Sequence, residues 1–229
     1  MPINDNMLFV SRIEQSAIRK LKGKKNHSMR KIHALRLFLI AIIVIAIASL
    51  FGPAERSLGT NVRLVYIHGA WVWTALIAFG AAAVTGLLGW LLSRPSLHTW
   101  SSALGQAGLF FWITYLPLSL WTMQANWNGL YLTEPRFRMA IDFAIIGILV
   151  QLASLILRNP RYSSLINIGF FAALWFSLSR TEQVMHPPSP ILTSNSLEIQ
   201  LFFFSLIGLC VFALWGLSYW LRQLALERR

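Results

Sequence analysis

The sequence predicts an all-α integral membrane protein with six transmembrane helices, and two observations lead to that class. Hydrophobic residues make up 56% of the 229 residues and charged residues only 12%, about half the roughly 25% that is usual in soluble domains. Six long apolar stretches run through the chain. A soluble chain of this length could not bury so much apolar surface in one core, and the composition also excludes disordered and disulfide-stapled secreted proteins.

Each of the six stretches approaches the 20 or so mostly apolar residues that a membrane helix needs. They cover residues 34–52, 64–92, 99–122, 139–157, 163–179 and 199–221. The chain therefore divides into a basic N-terminal tail (1–33), a six-helix membrane domain (34–221) and a C-terminal tail (222–229). Residues 7–22 carry apolar side chains at helical spacing, which fits an interfacial amphipathic helix and a solvated basic tail equally well.

The positive charges predict the orientation of the helices. Nine of the twenty Lys and Arg residues lie at or before Arg36. With the N-terminus in the cytoplasm, fifteen fall inside and five outside, so both termini are expected to be cytoplasmic and the protein to lie in the plasma membrane. Segments 53–63, 123–138 and 180–198 are then outer loops. The net charge of +12 fits contact with membrane lipid and gives no indication of nucleic-acid binding.

The five histidines are informative once they are sorted by this topology. Only His68, at the outer end of the second span, and His186, in the third outer loop, fall on the outer side. Neutral imidazole is a good ligand for haem iron, and two imidazoles can hold haem from opposite faces. An anchoring residue at a helix end and an ordinary loop histidine would give the same pattern. No histidine lies near the centre of a span, which argues against cytochrome b-type electron transfer.

The middle outer loop combines aromatic residues, an Asn-Gly turn and two arginines, Arg136 and Arg138. Aromatic faces suit a porphyrin, and guanidinium groups suit its propionates. A simple aromatic belt with interfacial charge would look similar. Glu134 is placed either to orient a neighbouring arginine or to pair with Arg138 four residues on.

Together these segments resemble the haem-handling protein family of cytochrome c biogenesis, and most closely its six-helix branch, the cytochrome c maturation protein C family. That family carries the motif W-G-x-W-W-x-W-D-A-R on its outer face, and residues 127–136 align with it without a gap. Trp127 takes the first tryptophan position, Tyr131 an aromatic position, Glu134 the acidic position and Arg136 the arginine. Asn128, Leu130 and Thr133 depart from the motif.

A second motif of the family, R-x-x-Y-I-H-x-P-x-A-W, matches the start of the second span if two residues are missing after the histidine. The matching residues are Arg63, Tyr66, Ile67, His68, Ala70 and Trp71. The family also has a histidine between its fifth and sixth helices, where His186 stands. The resemblance covers residues 35–221, and it includes the helix count and the orientation.

The resemblance implies a protein that is not an enzyme and that binds haem transiently on the extracytoplasmic face. His68 and His186 would be axial ligands, Trp127 and Tyr131 would stack on the ring, and Arg63, Arg136 or Arg138 would pair with the propionates. The implied partners are a haem chaperone and subunits of the ATP-binding-cassette type. The chain itself has no G-x-x-x-x-G-K-[ST] motif. A membrane scaffold without haem and a small-molecule permease are the alternatives.

Polar and small residues within the spans predict helix packing. Gln106, Gln151 and Asn167 are expected to form interhelical hydrogen bonds, and glycines 80, 86 and 89 to let the second helix approach its neighbours closely. Asp142 lies one helical turn after Arg138. An ion pair with that arginine accounts for it, and a functional carboxylate remains the alternative.

Overall fold

The computed structural model describes the backbone of residues 5–182, 184, 191 and 193–227, and the side chains within those ranges from residue 28 onward. The described chain is all-helical. The six helices are α1 (Asp5–Leu50), α2 (Val62–Leu91), α3 (Pro95–Trp127), α4 (Pro135–Leu157), α5 (Pro160–Arg180) and α6 (Leu197–Glu227).

All six helices are long and apolar enough to cross a membrane, with the candidate span of α1 restricted to Ser28–Leu50. Large apolar side chains cover their outer faces, and Ile156, on α4, is 80% exposed. Exposed apolar side chains of this size would be unfavourable in water, but they are the expected surface toward the hydrocarbon core of a membrane. The predicted class, an all-α multi-pass membrane protein with six helices, is therefore confirmed.

Proline and left-handed residues set several of the helix ends. Helices α3, α4 and α5 begin with Pro95, Pro135 and Pro160, because proline has no N–H to leave unpaired in the first turn. Asn128 and Arg158, directly after α3 and α4, have φ angles of 52° and 48°, which turn the chain out of the helix.

The predicted boundary of the middle loop is wrong. Helix α3 continues to Trp127, so residues 123–127 belong to its last turns and the loop between α3 and α4 is only 128–134. The apolar run ends earlier than the helix because Gln124 and Asn126 are polar, yet the backbone keeps its hydrogen bonds until Asn128. Trp127 is consequently held by a helix.

The helices pack around the pair α2 and α3. Helix α1 lies against α6 and touches α2, while α6 also contacts α2 and α3. Helix α5 contacts α2, α3 and α4. Helices α5 and α6 have no Cα atoms within 8 Å of each other, although both contact α2 and α3. We call the end of the bundle with the 51–61 and 128–134 loops the loop end, and the opposite one the tail end.

A buried polar cluster joins three helices, α3, α4 and α5, near the tail end. It comprises His98, Ser101, Gln151, Ser164 and Asn167, all at most 5% exposed. Asn167 Nδ2 donates to Ser101 O at 2.8 Å, Gln151 Nε2 donates to Asn167 Oδ1 at 2.9 Å, and His98 Nδ1 lies 2.8 Å from Ser164 Oγ. The predicted interhelical hydrogen bonds of Gln151 and Asn167 are thus confirmed.

Glycines of α2 and α3 make room for this cluster. A Cβ on Gly86 would lie 2.9 Å from Ser101 Oγ, and one on Gly89 would lie 2.8 Å from the His98 ring. On α3, a Cβ on Gly105 would lie 2.5 Å from Asn167 Oδ1. The predicted role of the α2 glycines in close packing is confirmed, since only hydrogen fits at these contacts.

The N-terminal segment continues directly into the first span. Helix α1 runs unbroken from Asp5 to Leu50, so the segment 7–22 is helical, which was one of the two alternatives that its sequence left open. Near the tail end, Lys31 Nζ lies 2.8 Å from a carboxylate oxygen of Glu227, which joins α1 to the last turn of α6. Because both side chains are partly exposed, this ion pair contributes at most about 1 kcal/mol.

Candidate functional site

A cavity of about 970 Å³ occupies the loop end of the bundle and is lined by α2, α3, the starts of α4 and α6, the end of α5 and the first loop. We call it the loop-end cavity. Its lining reaches Leu76, fourteen residues into α2 and therefore about 21 Å along that helix. The volume lies at the upper end of the roughly 300–1,000 Å³ typical of ligand sites.

His68 lines this cavity from the second turn of α2. Its side chain is half-buried, and its ring centroid lies 5.7 Å from that of Tyr115 with the planes 56° apart. Tyr66 anchors the beginning of α2, because its hydroxyl donates to Pro53 O at 3.1 Å. The imidazole is thus presented on a helix that is fixed at its beginning.

Aromatic side chains form much of the remaining wall. Those that line the cavity besides Trp127 are Tyr66, Trp73, Trp112, Tyr115, Phe137, Trp175 and Phe203. Trp112 donates through Nε1 to Ala140 O at 3.0 Å and packs edge-on against Tyr115 at 5.1 Å. The aromatic wall is therefore carried by helices α2 to α6, and the 128–134 loop contributes none of these side chains.

Four aromatic residues of the cavity, Trp73, Trp112, Tyr115 and Trp175, were not predicted as site residues. They lie within the apolar stretches, where position in the sequence does not show which neighbouring helix a side chain faces. A signal was present nonetheless. Trp112, Tyr115, Ser119 and Thr122 recur at helical spacing on α3, and all four line the cavity.

Two of the three charged side chains at the rim of the cavity, Glu134 and Arg136, come from the beginning of α4 and the residue before it. Glu134 is the N-cap residue of α4, and its carboxylate accepts from Phe137 N at 2.6 Å. This capping role was not predicted, although an acidic residue before Pro135 is a recognisable start signal. Arg136 is half-buried, lines the cavity and interacts electrostatically with Glu134 and Tyr115.

The other predicted site residues lie elsewhere. Arg63 donates through Nε to Gly52 O at 2.9 Å and does not line the cavity. Arg138 is exposed on α4. Tyr131 is 41% exposed, and its hydroxyl donates to Trp127 O at 3.4 Å. His186 lies outside the described residues.

The predicted pairings of Arg138 are not seen either. Glu134 is engaged as the cap of α4. Within the part of the chain that the structure describes, Asp142 is exposed on the same face of α4 as Arg138, but no ion pair joins them.

The first loop closes part of the cavity rim through Glu55. Its carboxylate accepts from the hydroxyl of Ser57 and from the N–H groups of Ser57 and Leu58, the latter at 2.9 and 3.0 Å. Glu55 and Gly59, whose φ is +55°, also exchange backbone hydrogen bonds. The Ser57 hydroxyl, followed by the Leu58 and Ser57 N–H groups, lowers the pKa of Glu55 from 4.5.

We expect this loop to loosen in acid. A lowered pKa means that the ionised carboxylate stabilises the loop at neutral pH, and that this contribution is lost as pH falls through the lowered pKa. Hydrogen exchange of residues 55–59, corrected for the intrinsic effect of pH, should therefore accelerate below pH 4.5 in the wild type. The Glu55→Gln variant should show faster exchange at neutral pH and no such acid step. An equal acid step in both proteins would assign the loosening to another group.

Three of the seven predicted site residues, His68, Trp127 and Arg136, thus line one cavity although they come from two separate segments of the chain. Comparisons with protein-family models, curated proteins and solved structures found no match to the chain.

Proposed function

We propose that this protein binds haem transiently in the loop-end cavity, on the extracytoplasmic face, and passes it on for the assembly of c-type cytochromes. One observation carries the proposal. The histidine of the Tyr66-Ile67-His68 segment and two residues of the 127–136 segment, each selected from the sequence for haem handling, line the same cavity.

The donor set of the cavity fits haem. His68 supplies an imidazole, the preferred nitrogen ligand of haem iron. Trp127, Tyr115 and Trp112 supply aromatic surface for a flat macrocycle, and Arg136 supplies a cation at the rim for a propionate. Bound haem would contribute its iron as the centre that His68 ligates. His186 is proposed as the second axial ligand on the resemblance alone.

The handover also follows from the chemistry of the site. A cavity whose charged lining residues lie at the loop end suits capture and release at that end, which the positive-inside rule predicts to lie outside the cytoplasm. In this proposal the acceptor is a membrane-anchored haem chaperone, and subunits of the ATP-binding-cassette type provide the energy for release. Glu134 lies at the rim, where such a partner would meet the protein.

The proposal is tested by titrating the purified protein with haemin in detergent and recording the absorption spectrum. We expect a Soret band that saturates at about one haem per chain. The His33→Ala variant serves as a control, because His33 is exposed on α1 far from the cavity. Absence of a Soret band from the folded wild type would overturn the proposal in favour of a scaffold or a permease.

The two arginines of the 134–138 segment provide a matched prediction. Arg136→Gln should weaken haem binding by about tenfold, which corresponds to the loss of one charge-assisted hydrogen bond of about 1.5 kcal/mol. Arg138→Gln should change the dissociation constant less than twofold, because Arg138 points away from the cavity. Fluorescence quenching of tryptophan by haemin measures both constants. A larger effect of Arg138→Gln would transfer the propionate contact to that residue.

A further inference from the structure

The loop-end cavity is bounded by two helices whose backbones lie apart. Its lining includes Trp175 on α5 and Phe203 on α6, yet no Cα atoms of α5 and α6 come within 8 Å. We call the space between these two helices the gap. Gly69 and Trp73, on α2, also line the cavity. A Cβ on Gly69 would lie 3.2 Å from the Phe203 ring, so α6 packs tightly against α2 there.

Two tryptophans belong both to the cavity wall and to the outer surface of the bundle. Trp73 is 39% exposed and Trp175 is 54% exposed, although both line the cavity. Trp73 lies eleven residues into α2 and Trp175 five residues before the end of α5, about 16 and 8 Å along their helices. These depths lie inside the roughly 30 Å apolar core of a bilayer. The cavity therefore reaches the lipid-facing surface between α5 and α6.

The polarity of the cavity changes along its depth. The charged lining residues, Glu55, Glu134 and Arg136, all lie at the loop end. Next to the gap the lining is Gly69, Trp73 and Trp175, with Leu76 deeper along α2. A ligand with an apolar body and an anionic end would match this gradient, with its anionic end at the level of Arg136.

We propose that the gap between α5 and α6 is a lateral entrance through which an anionic amphiphile dissolved in the bilayer enters the loop-end cavity. The apolar body passes between Trp73 and Trp175, and the carboxylate stays at the depth of Arg136. The identity of this ligand as haem rests on the proposed function, whereas the route rests on the gap itself. The bilayer concentrates such amphiphiles next to the entrance, because their apolar surface partitions into lipid.

The route is tested by obstructing each opening separately in the full chain reconstituted in nanodiscs. Trp175→Cys, at the gap, and Ser57→Cys, at the loop end, are each labelled with a bulky apolar maleimide. Leu149→Cys, 60% exposed on the lipid face of α4 and absent from the cavity lining, is the matched control. The single native cysteine, Cys210, is fully buried and remains in place. Each labelled variant is compared with its unlabelled form.

The probe is metal-free protoporphyrin, which has the apolar ring and two carboxylates but needs no iron ligand. Its loading is followed by energy transfer from tryptophan, once from donor vesicles and once from aqueous albumin. We expect the label at position 175 to slow loading from vesicles by about tenfold or more. Association rates of related complexes vary over roughly one to three orders of magnitude, so an effect of this size is within the usual range. The label at position 57 should slow loading from albumin, and the label at position 149 should slow neither.

Two results would overturn the lateral entrance. One is unchanged loading from vesicles with the label at position 175, and the other is slowing of both routes by the label at position 57 alone. If protoporphyrin does not bind to the unlabelled protein, the haemin titration still decides the proposed function, and the same series with cis-parinaric acid tests the entrance independently. If the label at position 175 slows the loading of cis-parinaric acid from vesicles, the entrance is supported. If the label leaves that loading unchanged, the entrance is rejected.

Discussion

Replacing His68 by alanine is expected to weaken haem binding by about a hundredfold or more, equivalent to about 2.7 kcal/mol. Among the described residues, His68 is the one histidine that lines the loop-end cavity. Its removal takes away the imidazole that fits haem iron and leaves aromatic walls and Arg136, which hold a porphyrin but do not coordinate it. Haemin titration should show a weak complex whose Soret band is shifted from that of the wild type.

A chemical rescue distinguishes lost coordination from lost folding. In the His68→Gly variant, free imidazole should restore the wild-type Soret position, because the vacated space is open to the cavity. If the His68→Gly variant binds haem as tightly as the wild type, and free imidazole does not change its Soret band, His68 is not a ligand. His186→Ala tests the second predicted ligand in the same assay. If His186 is an axial ligand, this variant should convert a six-coordinate spectrum to a five-coordinate one while most of the affinity remains.

The second large effect concerns stability. Gly105→Ala is expected to lower the free energy of unfolding by about 1–3 kcal/mol, the usual cost of overpacking a tight core. The new Cβ would lie 2.5 Å from Oδ1 and 2.8 Å from Nδ2 of Asn167. That amide cannot retreat without losing its bonds to Ser101 and Gln151. Thermal unfolding in detergent micelles, followed by circular dichroism, measures the loss.

The matched control is Gly208→Ala, because a Cβ on Gly208 meets nothing within 4 Å. We expect it to change stability by less than about 1 kcal/mol, on the scale of helix propensity. Adding Asn167→Ala to Gly105→Ala should cost less than the sum of the two single changes, because the clash then has no partner. Strict additivity would show that the cost of Gly105→Ala arises elsewhere.

Much of the fold could be predicted because each membrane helix corresponds to a long apolar run in the sequence. The run at 139–157 ends at the residue where α4 ends, Leu157. A helix can extend beyond its apolar run, because polar residues outside the apolar core of the membrane still form helical backbone hydrogen bonds. The last turns of α3 are an example. Helix ends follow capping and proline chemistry as well as hydropathy, which is why Glu134 and Asn128 set the middle loop shorter than predicted.

The site was less predictable, because its residues are brought together by tertiary packing. His68 and Arg136 could be selected because they belong to short segments with a local pattern. Trp175 could not be, because its role depends on which helices become neighbours. His98 shows the same limit, since it precedes the third apolar run yet forms part of the buried polar cluster through Ser164. Interhelical polar bonds, by contrast, were foreseeable, because an amide such as Asn167 inside an apolar run must find a partner.

The polar cluster has a mechanical consequence for α5. Ser164 and Asn167 fix this helix near its beginning, Phe170 and Leu174 are buried further along it, and its Cα atoms stay more than 8 Å from those of α6. If α5 tilts as a rigid body, the cluster is its pivot. Trp175 lies eleven residues beyond Ser164, about 16 Å along the axis, so a tilt of about 5° displaces it by roughly 1.4 Å. Residues beside the pivot hardly move, so the polar contacts at one end of the molecule set how far its opposite end can open.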